Sequence, residues 1–265
     1  MTLIWDQELL SAGDGHISAR IAGKGRTIVM LHSLLADSDS FEPLAELMVK
    51  DRRVVLFDLP GFHDSELVEG PLDAVADRVA AGIRSLELAD KVDLLGNGYG
   101  GFVAQLVAAR HPELIDRLVL ADTGACFPEP GREAYRNMSR QARHHGLHAI
   151  ADLAMRRLFG PQFEQKHPDL VSRRKQRFLT MRPATLHAAC AELADLDLRE
   201  KVQGIHVPAL VLAGELDEAT PVSMAQELAQ LLPRAQLRTL PECAHLPQLQ
   251  NPGLFLNEVR SFLKL

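Results

Sequence analysis

The chain has 265 residues, a net charge of −6, 46% hydrophobic residues and 24% charged ones. Those values fit a globular protein with a core of its own, and they exclude disorder, collagen and a coiled coil. The acidic balance offers nothing to nucleic acid, and no apolar run approaches the roughly 20 residues of a membrane helix.

The predicted elements alternate in kind. Residues 27–31 form a short apolar strand and 41–50 an amphipathic helix. A strand at 53–58 is stopped by Pro60-Gly61, and a helix over 73–88 places Val75, Val79, Ile83 and Leu86 on one face. A strand at 92–95, an Ala- and Val-rich helix at 98–110 and a strand at 118–122 follow. Strands that are apolar throughout, each followed by a helix, indicate a mostly parallel sheet with helices on both faces.

The pattern changes between residues 125 and 200, where no strand is expected. Helical stretches at 133–144, 147–158 and 170–181 are separated by Gly160-Pro161, His167-Pro168 and Arg182-Pro183. This segment holds 13 basic residues against 9 acidic ones. Solvated faces of surface helices account for most such charge, but an arginine such as Arg132 or Arg182 facing a pocket would attract an anion. His144 and His148 would share a helical face with metal-compatible spacing. Asp152 is the only carboxylate suitably placed beside them, so a surface cluster is expected and no metal or cofactor. The alternation then resumes with a strand at 209–213, a helix at 222–232, a strand at 237–240 and a closing helix at 252–263. The expected fold class is α/β, with core segments 1–123 and 204–265 and a helical cap at 124–203. Three scattered cysteines, Cys126, Cys190 and Cys243, form neither a zinc pattern nor a disulfide framework. With no signal peptide visible, a cytoplasmic location is expected, and association into a homo-oligomer stays open.

Three features stand at strand ends. Gly96-Asn97-Gly98-Tyr99-Gly100-Gly101 links a strand to the Ala-rich helix, Asp217 follows the strand at 209–213, and His245 follows the strand at 237–240. A carboxylate at that strand end can orient an imidazole. Upstream, His32-Ser33-Leu34 closes a strand and opens a loop, and Asp58-Leu59-Pro60-Gly61-Phe62 follows the next strand. In this order the motifs, which span nearly the whole chain, resemble an α/β-hydrolase. The resemblance implies an oxyanion hole made by the amides of Leu34 and Tyr99, and a catalytic Asp217–His245 pair. His32-Ser33-Leu34 with Asp37, the run from Asp217 to Pro221, His245-Leu246-Pro247 with Asn251-Pro252, and Cys190–Leu193 leading to Asp197-Leu198 are similar to 3-oxoadipate enol-lactonases. That likeness implies a small carboxylate-bearing ester or lactone as substrate. Ser33, Cys126 and Arg132 are the candidates for lining its pocket.

One position departs from the family. The nucleophile position is Gly98, which has no oxygen or sulfur to offer. Losing the nucleophile in comparable triads leaves only about 10³–10⁴-fold catalysis over water. Four readings follow: an engineered replacement of a native serine; His245 activating a water, or a substrate proton as in a lyase, isomerase or cofactor-free oxygenase; a dead, ligand-binding site; or another nucleophile. Ser33, Cys126, Cys243 and Tyr99 are the residues weighed for the last role. The catalytic readings require an enclosed polar cavity above Gly98.

Overall fold

The computed structural model describes residues 3–265. Eight strands, β1 (Asp6–Ala12), β2 (Gly15–Ala22), β3 (Thr27–Leu31), β4 (Arg53–Phe57), β5 (Val92–Asn97), β6 (Ile115–Ala121), β7 (Ala209–Gly214) and β8 (Ala235–Leu240), make one sheet. Its order is β1-β2-β4-β3-β5-β6-β7-β8. From β4 to β8 every neighbouring pair is parallel, and β1 and β2 form a hairpin added antiparallel to β4. The sequence reading missed this hairpin. In β1 only Leu10 and Ala12 are buried, too sparse an alternation to stand out as a strand.

The connecting helices are α1 (Glu42–Met48), α2 (Leu72–Ser85), α3 (Tyr99–Arg110), α4 (Glu129–His145), α5 (Ala151–Lys166), α6 (Pro168–Phe178), α7 (Pro183–Asp195), α8 (Arg199–Val202), α9 (Val222–Leu231), α10 (Pro247–Gln250) and α11 (Pro252–Leu263). They cover both faces of the sheet, which is why its inner strands are apolar at successive positions. In β3, Val29 and Leu31 pack toward α2 and α3, whereas Ile28 and Met30 pack toward α1 and α11. Nearly all of α3 is buried, so its Ala- and Val-rich sequence shows no polar face.

Helices α4 to α8 form an insertion between β6 and β7. Within it α4 packs on α7 and α5 on α6. Helix α7 lay outside the expected elements, because Pro183 reads equally as a break or as the first residue of a helix, and here it is the latter. The expected break at Gly160-Pro161 is present: Gly160, at φ 70° and ψ 160°, is non-helical and divides α5 into two helical pieces. The paired face expected for His144 and His148 does not exist. Helix α4 ends at His145, Gly146 turns the chain at φ 78°, and His148 belongs to a separate 3₁₀ turn. Among the described residues no helix is long and apolar enough to cross a membrane.

Candidate functional site

The site lies at the carboxyl ends of the parallel strands. Strand β5 turns sharply into α3 at Gly98, whose φ of 55° and ψ of −117° lie where only glycine is comfortable. The crossing is close: a Cβ on Gly100 would meet the Leu31 carbonyl oxygen at 2.2 Å. At the head of α3, Gly100 N donates to His32 O at 3.0 Å, and Gly101 N and Phe102 N donate to Gly98 O. The Tyr99 amide has no acceptor among the described residues, and neither has that of Leu34. The Tyr99 amide stands at the N-terminus of α3, whose dipole favours negative charge.

The loop after β3 is rigidly held. His32 Nδ1–H donates to Ser33 O at 2.9 Å, and His32 Nε2 accepts from Leu59 N at 3.1 Å. Burial holds the ring neutral by lowering its pKa, which suits this donor–acceptor pair. Ser33 O also accepts from Ala36 N at 3.2 Å. At the far end of the loop, buried Asp37 meets two guanidinium groups and an imidazole: Arg174 of α6, Arg177 of α6 at 2.9 Å, and His63 at 3.7 Å. Burial opposes the Asp37 charge, but these partners outweigh it and hold the carboxyl far below the usual range.

His245 follows β8 and faces Asp217, with Nδ1 2.8 Å from Oδ2. The other Asp217 oxygen accepts from Ala219 N at 2.7 Å and Thr220 N at 3.2 Å, and Thr220 Oγ1 donates to Oδ2 at 2.6 Å. Burial pushes against this charge, yet the imidazole and the Thr220 donors keep the Asp217 pKa below its ordinary value. An ionised Asp217 fixes the His245 proton on Nδ1, so Nε2 is an acceptor. Its partner is the Ser33 hydroxyl, 3.1 Å away. The backbone of His245 is fixed as well. Its N–H donates to Leu158 O of the insertion at 3.1 Å, and its carbonyl accepts from Asn97 Nδ2 at 3.0 Å. Gln248 Nε2 in turn donates to Asn97 Oδ1 at 3.1 Å.

In the enclosed polar space expected above Gly98, the position next to its Cα is taken by a hydroxyl. A Cβ built on Gly98 would lie 2.6 Å from His245 Nε2, 2.6 Å from Ser33 Oγ and 3.1 Å from Ser33 Cβ. Ser33 is 2% exposed and His245 6%. The place reserved for an attacking water is thus occupied by a hydroxyl. A cavity of about 500 Å³ does open behind Asp217, between Phe159, Phe163 and His167 on one side and Glu215 and Glu242 on the other, but Gly98 is not in its wall.

The structure brings Gly98, Ser33, Leu34, Tyr99, Asp217 and His245 together, whereas Arg132, Arg182 and Cys126 make their contacts elsewhere. Arg132 donates to the carbonyls of Phe127 at 2.8 Å, Ala194 at 3.0 Å and Leu196 at 3.2 Å, so it staples α4 to the end of α7 rather than facing a pocket. Arg182 is bound to the carbonyls of His63 and Ser65 and lines a small cavity with Asp37, His63 and Arg177. Cys126 pairs by a backbone bridge with Asp197 at the root of the insertion. Its thiol pKa is raised by burial and by Glu227. Sequence reasoning also missed Asp122, at the end of β6 beside Asp217. Its Oδ1 accepts from Gly214 N at 2.7 Å, and burial followed by the Asp217 charge raises its pKa well above the usual range. Carboxylates ending neighbouring parallel strands were the available signal.

The sequence profile of the α/β hydrolase fold family matches residues 26–252. The chain belongs to that family. It is 29% identical over 214 residues to 3-oxoadipate enol-lactonase 2 of Acinetobacter baylyi, covering 80% of this chain and 78% of that one. It is 30% identical over 248 residues to the pimeloyl-[acyl-carrier protein] methyl ester esterase of Chromobacterium violaceum, covering 91% and 96%. The crystal structure of the enol-lactonase from Burkholderia xenovorans superposes with a TM-score of 0.91 at 26% identity, over 97% of this chain and 100% of the other. The family likeness to enol-lactonases read from the motifs therefore extends to the whole α/β-hydrolase fold.

Proposed function

We propose that the protein hydrolyses a small carboxylate-bearing ester or lactone through His245 and Asp217. The observation that carries this reading is the buried 2.8 Å contact of His245 Nδ1 with Asp217 Oδ2, set beside the Leu34 and Tyr99 amides, which have no other acceptor among the described residues. In such a site Nε2 takes the proton of the attacking hydroxyl, Asp217 steadies the imidazolium, and the two amides bind the oxyanion as it forms. The named activities of the relatives, an enol-lactonase and a methyl ester esterase, are both acyl transfers from a carboxylic ester to water.

The anionic preference rests on Arg157. It has no carboxylate partner among the described residues, and its guanidinium lies 5.7 Å from the centroid of the Tyr135 ring. Its neighbour Leu158 is the residue whose carbonyl holds His245. Helices α4 to α7 then act as a cap that brings this cation to the site. Arg157 replaces Arg132 and Arg182 as the residue that receives the substrate carboxylate. The test is turnover of small aryl esters and lactones, each with and without a carboxylate. Hydrolysis should fall at least 10³-fold in His245→Ala, and Arg157→Gln should abolish any preference for the carboxylated member. Equal rates with His245→Ala would refute the dyad, and a wild-type rate indifferent to the carboxylate would refute the anionic substrate.

A further inference from the structure

We propose that Ser33, not the elbow residue, is the nucleophile of this site; the inference rests on the hydrolase reading above. Ser33 Oγ is 3.1 Å from His245 Nε2, which completes a buried Ser33–His245–Asp217 relay. The hydroxyl stands in the space that a side chain at position 98 would need, 2.6 Å from the place of its Cβ. The next amide along the chain, that of Leu34, has no acceptor among the described residues. A nucleophile followed directly by an oxyanion donor is the arrangement the fold ordinarily builds at the elbow. Here the loop after β3 supplies both.

Two other serines after β3 and the cysteine two residues before His245 are committed elsewhere. Ser40 Oγ donates to Asp37 O at 2.7 Å, and Ser38 is bound to Asp58. Cys243 packs in the apolar layer under α11, and burial pushes its thiol pKa up to about 11. Ser33, by contrast, is held on both sides. The His32 ring and Ala36 N fix its carbonyl, and Asp37 ties the end of its loop to α6. Holding the reacting atom in place before substrate arrives is what an acyl-transfer nucleophile needs.

The step balances without any further reagent. The Ser33 Oγ–H proton passes to His245 Nε2 as an Oγ–carbon bond forms to the substrate carbonyl, whose oxygen becomes the oxyanion. Collapse breaks the ester carbon–oxygen bond, and the leaving alkoxide takes the proton from Nε2. Water then attacks the acyl carbon while its proton passes to His245 Nε2; the carbon–Oγ bond breaks, Ser33 Oγ takes that proton back, and the carboxylic acid leaves.

The test is labelling of the intact protein with diisopropyl fluorophosphate, which loses fluoride to an activated serine. Mass mapping should place a single adduct on the tryptic peptide 27–50 and, by fragmentation, on Ser33. Ser33→Ala should take no label and lose at least 10³-fold in kcat/KM, while Ser33→Cys should accumulate a thioester with an aryl ester substrate. An unlabelled wild type, an adduct elsewhere, or turnover within tenfold of wild type in Ser33→Ala would overturn the proposal. Turnover that persists without Ser33 and still needs His245 would overturn only this nucleophile. Absence of turnover on every ester and lactone would overturn the hydrolase reading itself.

Discussion

Putting a serine back at the elbow is the obvious repair, and the structure predicts that by itself it fails. A Cβ at position 98 would lie 2.6 Å from both His245 Nε2 and Ser33 Oγ, on a backbone at φ 55° and ψ −117°. The backbone strain is about 1–3 kcal/mol for any non-glycine residue. Forcing extra atoms into the filled site adds about 1–3 kcal/mol. Gly98→Ser alone should therefore destabilise the fold by roughly 2–6 kcal/mol. Ser33→Gly, which removes the obstructing Oγ and Cβ, loses one buried hydrogen bond, about 1 kcal/mol. In the double variant the strain stays but the clash disappears, so the two changes should couple favourably by about 1–3 kcal/mol. Urea unfolding of the four proteins measures that coupling directly. Ester hydrolysis should follow the same logic: lost in Ser33→Gly, regained when Gly98→Ser supplies a hydroxyl to the vacated space. Changes that add to within about 0.5 kcal/mol would show that the two positions do not compete, and the account of the site would be wrong.

Three further outcomes follow from buried polar contacts. Asp37→Ala leaves Arg174, only 10% exposed, without its carboxylate, and should destabilise by about 3–5 kcal/mol in thermal or chemical unfolding. A loss under 1 kcal/mol would mean that water already reaches this cluster. Burial, and then the Asp217 charge, favour the neutral form of Asp122, so its folded pKa lies above the unfolded one. Its contribution is complete below about pH 4 and is lost as pH rises toward the folded value. Asp122→Asn should therefore be more stable than wild type at pH 7, with the gap closing toward pH 4. A gap independent of pH would show that Asp122 is not held neutral. Asn97→Ala strands the His245 carbonyl and Gln248, and should destabilise by about 1–3 kcal/mol while lowering kcat more than it raises KM. An unchanged kcat would free His245 from this support.

How much of this was readable depends on how local each signal is. The strands at 27–31 and 92–95 and the closing helix at 252–263 were legible because burial on both faces, or on one helical stripe, writes a period into the residues themselves. Asp217 and His245 were legible because each follows a strand end at the same edge of the sheet. The β1–β2 hairpin was not, because an edge strand with two buried residues carries little pattern. The arginines were not either. A basic surplus in the insertion says nothing about which carbonyl each guanidinium meets, since Arg132 finds its partners 62 and 64 residues away only once α4 packs on α7. Ser33 is the sharpest case. The sequence places it at a strand end, but its contact with His245 spans 212 residues and depends on how the His32 ring and Asp37 set the loop.

That contact also ties the two unusual features of the site together. In a chain with a serine at position 98, its Cβ would stand 2.6 Å from both the Ser33 hydroxyl and His245 Nε2. Both hydroxyls would compete for the single lone pair on Nε2, and one would have to turn away. Glycine at the elbow removes the competitor while preserving the sharp turn and the Tyr99 amide beneath it. A glycine at the elbow thus leaves Nε2 to a hydroxyl from the loop after β3. Absence of an elbow serine is for this reason not by itself evidence of a dead site. What decides the matter is whether another hydroxyl reaches Nε2 beside an amide with no acceptor of its own, and here Ser33 and Leu34 meet both conditions.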